Sequence, residues 1–294
     1  MGDYLVRSIS KDGSLRGLAA VSTALVEKAR QRHGALPTAA AALGRALTGV
    51  ALLGAGLKTG QRLAMKFEGD GPLKKIVVEA ESNGAVRGYV AEPKVHLPPK
   101  NDKLDVAGAV GRTGLLTVSK DLRLKEPYQG IVQIVSGEIA EDLAFYLVES
   151  EQVPSALALG VYVETSGQVA AAGGFLVQTL PPVRSEVLQE LIARIQNLPP
   201  VSDLLRSGSS PEAILAAIYG DLAYTILDKY ALAWQCSCSR ERVEKALITL
   251  GRKELANLAA QGEAATITCE FCRQEYTFKQ EDLQRLQEEL SNRE

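Results

Sequence analysis

No cysteine occurs before position 236 in this chain of 294 residues. That absence excludes a scattered disulfide framework and points to a reducing compartment, so the expected location is the cytoplasm. Charge of one sign is missing too. Lys and Arg number 33 against 35 Asp and Glu, a formal net charge of −2, which leaves no electrostatic footprint for nucleic acid. Only two histidines are present, His33 and His96. Neither has a cysteine or histidine at ligand spacing, so neither is assigned to a metal or to catalysis. His33 ahead of Gly34 reads as the last turn of a helix. No Walker motif and no strand–G-x-G-x-x-G–helix pattern appears, and Gly69-Asp70-Gly71-Pro72 reads as a tight turn, not a phosphate loop. Ser150-Glu151-Gln152 offers a hydroxyl and a carboxylate without a positioned base, so the chain is read as a non-enzyme. The N-terminus has no signal-peptide shape. Long apolar runs are scarce: residues 39–57 are opened by Pro37 and interrupted by Arg45, which favours a buried helix over a membrane span.

What is there lies mostly in the tail. All four cysteines fall in Cys236-Ser237-Cys238 and Cys269-Glu270-Phe271-Cys272. Two close pairs around a helical insert can bring four thiolates to one metal ion, and closed four-cysteine sites are characteristic of structural zinc. The spacing leaves a second possibility open. Each pair is close enough to oxidise within itself, and C-x-x-C is a spacing linked to thiol exchange. Chelation ties position 236 to 272, whereas local bridges tie neither segment to the other. Metal binding supplies about 10 kcal/mol or more of the folding energy of small zinc fingers, so losing the metal should unfold such a module. No His-x-Glu precedes the C-x-x-C, which argues against a zinc deaminase. Glu241, Glu244, Glu263, Glu270 and Glu275 balance Arg240, Arg242, Lys245 and Arg273, so no basic patch surrounds the site. Trp234 is expected to pack on the metal module.

Apolar content of 46% and charged content of 23% suffice for an ordinary core. Residues 4–10 and 14–21 read as a hairpin, 23–33 as a helix capped by Ser22 or Thr23 and ended by Gly34. A second helix starts at Pro37 and is apolar nearly all round, with Gly44, Gly49 and Gly54 permitting close approach. Strands are expected at 62–68, 73–80 and 85–91, with a type I′ turn at Asn83-Gly84, then at 115–120, 130–135, 157–164 and 168–179, with a helix at 138–153. After Pro181-Pro182 the pattern reads helical up to the cysteines. Leu188, Leu191, Ile192, Ile195 and Leu198 form the expected apolar stripe of the first of these helices. The class is α+β: a core domain over 1–180, an amphipathic helical linker over 181–232 and a zinc-binding module over 233–294.

The chain resembles the redox-regulated heat-shock holdases of the thirty-three-kilodalton chaperonin family. The resemblance covers essentially the whole length. It is carried by the two cysteine pairs and by Arg32-His33-Gly34 with Pro37-Thr38-Ala39, Ala42-Leu43-Gly44-Arg45, Glu68-Gly69-Asp70-Gly71-Pro72, Ser150-Glu151-Gln152-Val153-Pro154-Ser155 and Ala171-Ala172-Gly173-Gly174-Phe175. It implies one zinc per chain on Cys236, Cys238, Cys269 and Cys272 in a reduced, inactive state. It implies disulfides Cys236–Cys238 and Cys269–Cys272 on oxidation, with unfolding of the tail and release of the linker. It further implies ATP-independent binding of unfolding client proteins, and a homodimer in the oxidised state. The rival, from another class, is a constitutive zinc-ribbon protein whose metal is purely structural and which binds nucleic acid or a protein partner.

Overall fold

A computed structural model describes residues 2–180, 185–260 and 264–291; Pro181-Pro182 and Glu263 lie outside the described residues. The chain forms an α+β protein of two units, Met1–Gln235 and Cys236–Glu294. Among the described residues no helix is long and apolar enough to cross a membrane.

Unit 1 holds two sheets. Strands β1 (Tyr4–Ser10), β2 (Leu15–Val21), β8 (Ser155–Val163), β9 (Val169–Thr179) and β10 (Tyr224–Ala231) form the first, in the order β10-β1-β2-β9-β8. Strands β3 (Arg62–Gly69), β4 (Lys75–Glu81), β5 (Ala85–Val90), β6 (Gly114–Asp121), β7 (Tyr128–Gln133) and β11 (Ala233–Trp234) form the second, in the order β11-β5-β4-β3-β6-β7. Every ladder is antiparallel except β11 on β5.

Between the sheets lies α2 (Pro37–Gly54), which touches strands of both. Its composition explains the position: with alanine, leucine and glycine on all sides, it must be covered all round. A Cβ on Gly44 would stand 2.5 Å from Val26, on Gly49 2.7 Å from Leu143, and on Gly54 2.9 Å from Ala80, so these glycines set the contact distances. Helices α1 (Thr23–His33), α3 (Val106–Val110) and α4 (Ile139–Glu149) complete the surround.

Two local expectations are corrected. Ser22 does not cap α1, because its hydroxyl bonds Thr48 Oγ1 at 2.7 Å. The Asp3 carboxylate instead accepts from the amides of Ala24 (3.1 Å) and Leu25 (2.6 Å). The turn at Asn83-Gly84 is not type I′. Only Gly84 has positive φ, and its amide bonds the Glu81 carbonyl at 3.1 Å, a three-residue loop with glycine in the left-handed position.

Residues 185–231 also belong to unit 1. Helices α5 (Ser185–Asn197), α6 (Val201–Arg206) and α7 (Pro211–Tyr219) cover the outer face of the first sheet. Val187, Leu191, Val201, Ile214, Leu215, Ile218 and Tyr219 pack there against Val6, Leu15, Ala19, Phe175 and Val177. Glycines on the sheet bring the helices close. A Cβ on Gly160 would stand 2.5 Å from the Ser202 amide, and one on Gly17 2.9 Å from both Leu215 and Tyr219.

Helix does not continue to the cysteines. Tyr224–Ala231 is a strand, paired with β1 from Tyr4↔Ala231 to Ser10↔Tyr224. Tyr224-Thr225-Ile226-Leu227 suits a strand, and the free edge of β1, more than two hundred positions away in sequence, decides the matter. Trp234 packs in unit 1, not on the metal module. It pairs with Val86, meets the His33 ring edge-on at 6.1 Å and is 8% exposed.

Unit 2 contains α8 (Arg240–Thr249), α9 (Arg252–Ala260), the hairpin β12 (Ala265–Thr268) with β13 (Glu275–Phe278), and α10 (Gln280–Ser291). Its core is small: Leu247, Leu255, Ala259, Phe278, Leu283 and Leu286.

Candidate metal centre

Cys236 and Cys238 precede α8, whose first turn is capped by Ser239 Oγ, accepting the Arg242 amide at 3.3 Å. Cys269 and Cys272 sit in the turn between β12 and β13. There the Cys269 amide donates to the Gln274 carbonyl at 2.9 Å and the Arg273 amide to the Cys269 carbonyl at 2.8 Å. Arg273 closes this knuckle with φ of 57°. The hairpin register, Thr268↔Glu275, keeps both sulfurs on the same short loop.

The four Sγ atoms lie within 4.8 Å of one another and can hold a metal ion. Cys238 and Cys272 approach to 3.3 Å, Cys236 and Cys269 to 3.8 Å. Sulfurs at ~2.3 Å from a tetrahedral zinc stand about 3.8 Å apart, so the donor set fits such an ion in both chemistry and spacing. Cys272 is buried and the others half-buried. Tyr276 adds a partner that the spacing of the cysteines does not announce: its hydroxyl donates to Cys238 Sγ at 3.1 Å.

Electrostatics divide the thiols. Burial pushes Cys272 up to about 12 and raises Cys269 as well. Burial acts on Cys238 in the same direction, but the Tyr276 hydroxyl and the neighbouring thiols outweigh it and hold Cys238 below the usual thiol value. The hydrogen bond to Cys238, and secondarily burial, pushes Tyr276 to about 12, so it remains a donor at neutral pH. Without a cation, ionisation favours Cys238 over Cys269 and Cys272. Four thiolates together need a positive charge among them.

The other expected site residues have different fates. The linker stripe divides: Leu191 is buried on the sheet, Ile195 and Leu198 are partly buried there, and Leu188 is half-buried. Ile192 is 45% exposed. Val187 takes its place in the buried line, because 187, 191, 195 and 198 share one face at 100° per residue, whereas 192 is turned aside. His96 Nδ1 lies 3.0 Å from Thr38 Oγ1. Gly69-Asp70-Gly71 is a turn packed on α3, where a Cβ on Gly69 would stand 2.0 Å from the Val110 carbonyl oxygen.

A family model described as "Hsp33 protein" matches residues 3–279. The chain is 55% identical to the 33 kDa chaperonin of Citrifermentans bemidjiense, with 100% of each chain aligned. It is 56% identical to the 33 kDa chaperonin of Geobacter sulfurreducens, over 98% of this chain and 96% of that one. Among solved structures, the 33 kDa chaperonin (heat shock protein 33 homolog) of Thermotoga maritima superposes with a TM-score of 0.93 at 37% identity, covering 99% of this chain and 100% of the other.

Proposed function

The chain belongs to the Hsp33 family, and from that premise we propose that it is a cytoplasmic, ATP-independent chaperone, without enzymatic activity, that oxidation of its four cysteines switches on. The carrying observation is that four sulfurs from the start of unit 2 and from its β12–β13 turn converge within 4.8 Å, in a module whose apolar core is small. Cys236, Cys238, Cys269 and Cys272 would hold one zinc ion. Bound there, zinc supplies the positive charge that keeps all four sulfurs ionised and cross-links the two cysteine pairs.

In the oxidised state each pair, Cys236–Cys238 and Cys269–Cys272, becomes a disulfide. Two thiols lose two electrons and two protons for each bridge, and one peroxide is reduced to water. The sulfurs then no longer ligate a metal as thiolates, and the long cross-link is replaced by two short ones, which constrain the chain less. Unit 2 lacks the apolar burial to stay folded without it. Its first residue follows Gln235, whose amide bonds Val86 of β5 at 3.0 Å, so disorder in unit 2 begins next to a strand only two residues long. Peeling β11 and β10 would loosen α5–α7 and present Leu191, Ile195, Leu198 and their neighbours to unfolding clients. Leu188 and Ile192, already accessible, would join them. Two copies of the activated chain are expected to pair as a homodimer.

The test is zinc content and free thiols on one sample, before and after peroxide, followed by suppression of client aggregation. One zinc per chain, released as four thiols disappear, with anti-aggregation activity that reductant plus zinc reverses, supports the switch. Retained zinc or equal activity in both states would leave a purely structural metal. Trp234 reports the linker: its emission should shift red after peroxide with mild heating, and stays in place if disorder stops at unit 2.

A further inference from the structure

A cavity of about 260 Å³ opens in unit 1 where the C-terminal end of α2 meets both sheets. Its wall is leucine: Leu18, Leu52, Leu63, Leu147 and Leu176 are each buried. Three cations reach it, Arg7, Arg16 and Lys120, and two of them are balanced. Arg7 Nη1 lies 3.4 Å from Asp228 and donates to the Ala55 carbonyl at 3.0 Å. Lys120 Nζ lies 2.6 Å from Glu151, which also accepts from the Tyr146 hydroxyl.

Arg16 is different. Its Nε (3.1 Å) and Nη2 both donate to the Gln178 amide oxygen, a neutral acceptor on the facing strand. Gln178 is itself fixed, its Nε2 donating to Ser155 Oγ at 3.1 Å. Among the described residues no carboxylate pairs with Arg16. Burial, and after it the charge of Arg7, holds Arg16 below the usual arginine value. A half-buried guanidinium without a counter-charge, set in a leucine wall, is costly unless an anion completes it. A charge-assisted bond to a carboxylate is what its geometry favours. A polyanion would crowd Glu151, and a plain hydrocarbon would leave Arg16 uncompensated.

We propose that this cavity binds an amphipathic monocarboxylate, of the class of a medium-chain fatty acid, with its carboxylate on Arg16 and its chain among the leucines. A concave apolar site with few polar groups at one end is the usual form of a small-ligand pocket. The proposal is independent of the metal centre.

Calorimetric titration of the reduced full-length protein with octanoate and with octanol tests it. Octanoate should bind saturably, about tenfold or more tighter than octanol, the difference a charge-assisted hydrogen bond supplies. Arg16→Gln should weaken octanoate to the level of octanol and leave octanol unchanged. Wild-type methyl resonances of Leu18 and Leu176 should shift on octanoate binding, a readout that holds even if the variant folds poorly. No saturable octanoate binding, equal binding of the two probes, unchanged binding by Arg16→Gln in a folded protein, or shifts confined to other parts of the chain would each overturn the proposal.

Discussion

Helix α2 is buried on nearly every side between two sheets, while among the described residues unit 2 gathers an apolar core of six. The larger unit closes around an extensive apolar core of its own. The smaller one brings four sulfurs together, with burial opposing ionisation of Cys269 and Cys272, so on the proposed function its stability rests on a bound metal ion. A core of packed leucine and alanine responds weakly to oxidants. A cluster of thiolates responds directly, and on the proposed function its loss unfolds unit 2. On the proposed function, the contrast lets the core of unit 1 stay folded while the smaller unit 2 carries the oxidant-sensitive cluster.

The sharpest way to break this contrast is Cys269→Ser. Zinc content should fall well below one per chain, and most of the metal's contribution to unit 2, on the order of 10 kcal/mol, should go with it. Limited proteolysis should then cut first within unit 2 and spare the core of unit 1 around α2. A variant with full zinc and a resistant tail would show the ligand set to be wrong. Next in size is Leu215→Ala, which empties a fully buried site between α7 and the first sheet. It should cost about 2–5 kcal/mol, seen as a lower melting temperature for unit 1 with zinc content unchanged. If zinc is lost as well, the units are not separate in their energetics.

Tyr276→Phe probes the site without removing a ligand. Loss of the hydroxyl bond to Cys238 should lower zinc affinity by about 10-fold, the lower end for groups that orient ligands, and speed thiol oxidation by peroxide. Unchanged competition against a chelator would reduce Tyr276 to packing. The smallest effect concerns Glu212 of α7, which accepts from Tyr4 Oη of β1 at 2.8 Å and Lys229 Nζ of β10 at 2.9 Å. Burial alone would raise its carboxyl, but the Lys229 and Tyr4 bonds prevail and hold it at about 2, below the ordinary 4.5. A depressed folded-state value means its contribution is complete above 4.5 and lost as pH falls toward 2. Hydrogen exchange of the β10 amides should accelerate across that window in the wild type and less in Glu212→Gln; identical profiles would remove Glu212 from the docking of β10.

Much of the architecture could be read locally. The hairpin of residues 4–10 and 14–21, the all-round apolar helix from Pro37 and the alternating strands carry periods that state their own structure. The convergence of the four sulfurs was legible because cysteine spacing is itself geometry. Tyr276 was not legible, since a tyrosine four positions after Cys272 carries no pattern; only the β12–β13 register aims its hydroxyl at Cys238. Nor was Asp3 as the cap of α1, because a cap from the far side of a hairpin is a contact and not a motif.

The sequence by itself determined the α+β class, the helix that begins at Pro37, and the four sulfurs that meet, because composition, period and ligand spacing act over short stretches of chain. Only the tertiary structure decided that Tyr224–Ala231 is a strand, that Trp234 belongs to unit 1, that Val187 and not Ile192 faces the sheet, and that among the described residues Arg16 bonds the neutral Gln178 and pairs with no carboxylate. Each depends on which distant edge, face or charge is left free once the rest has packed, and that quantity is written in no local segment.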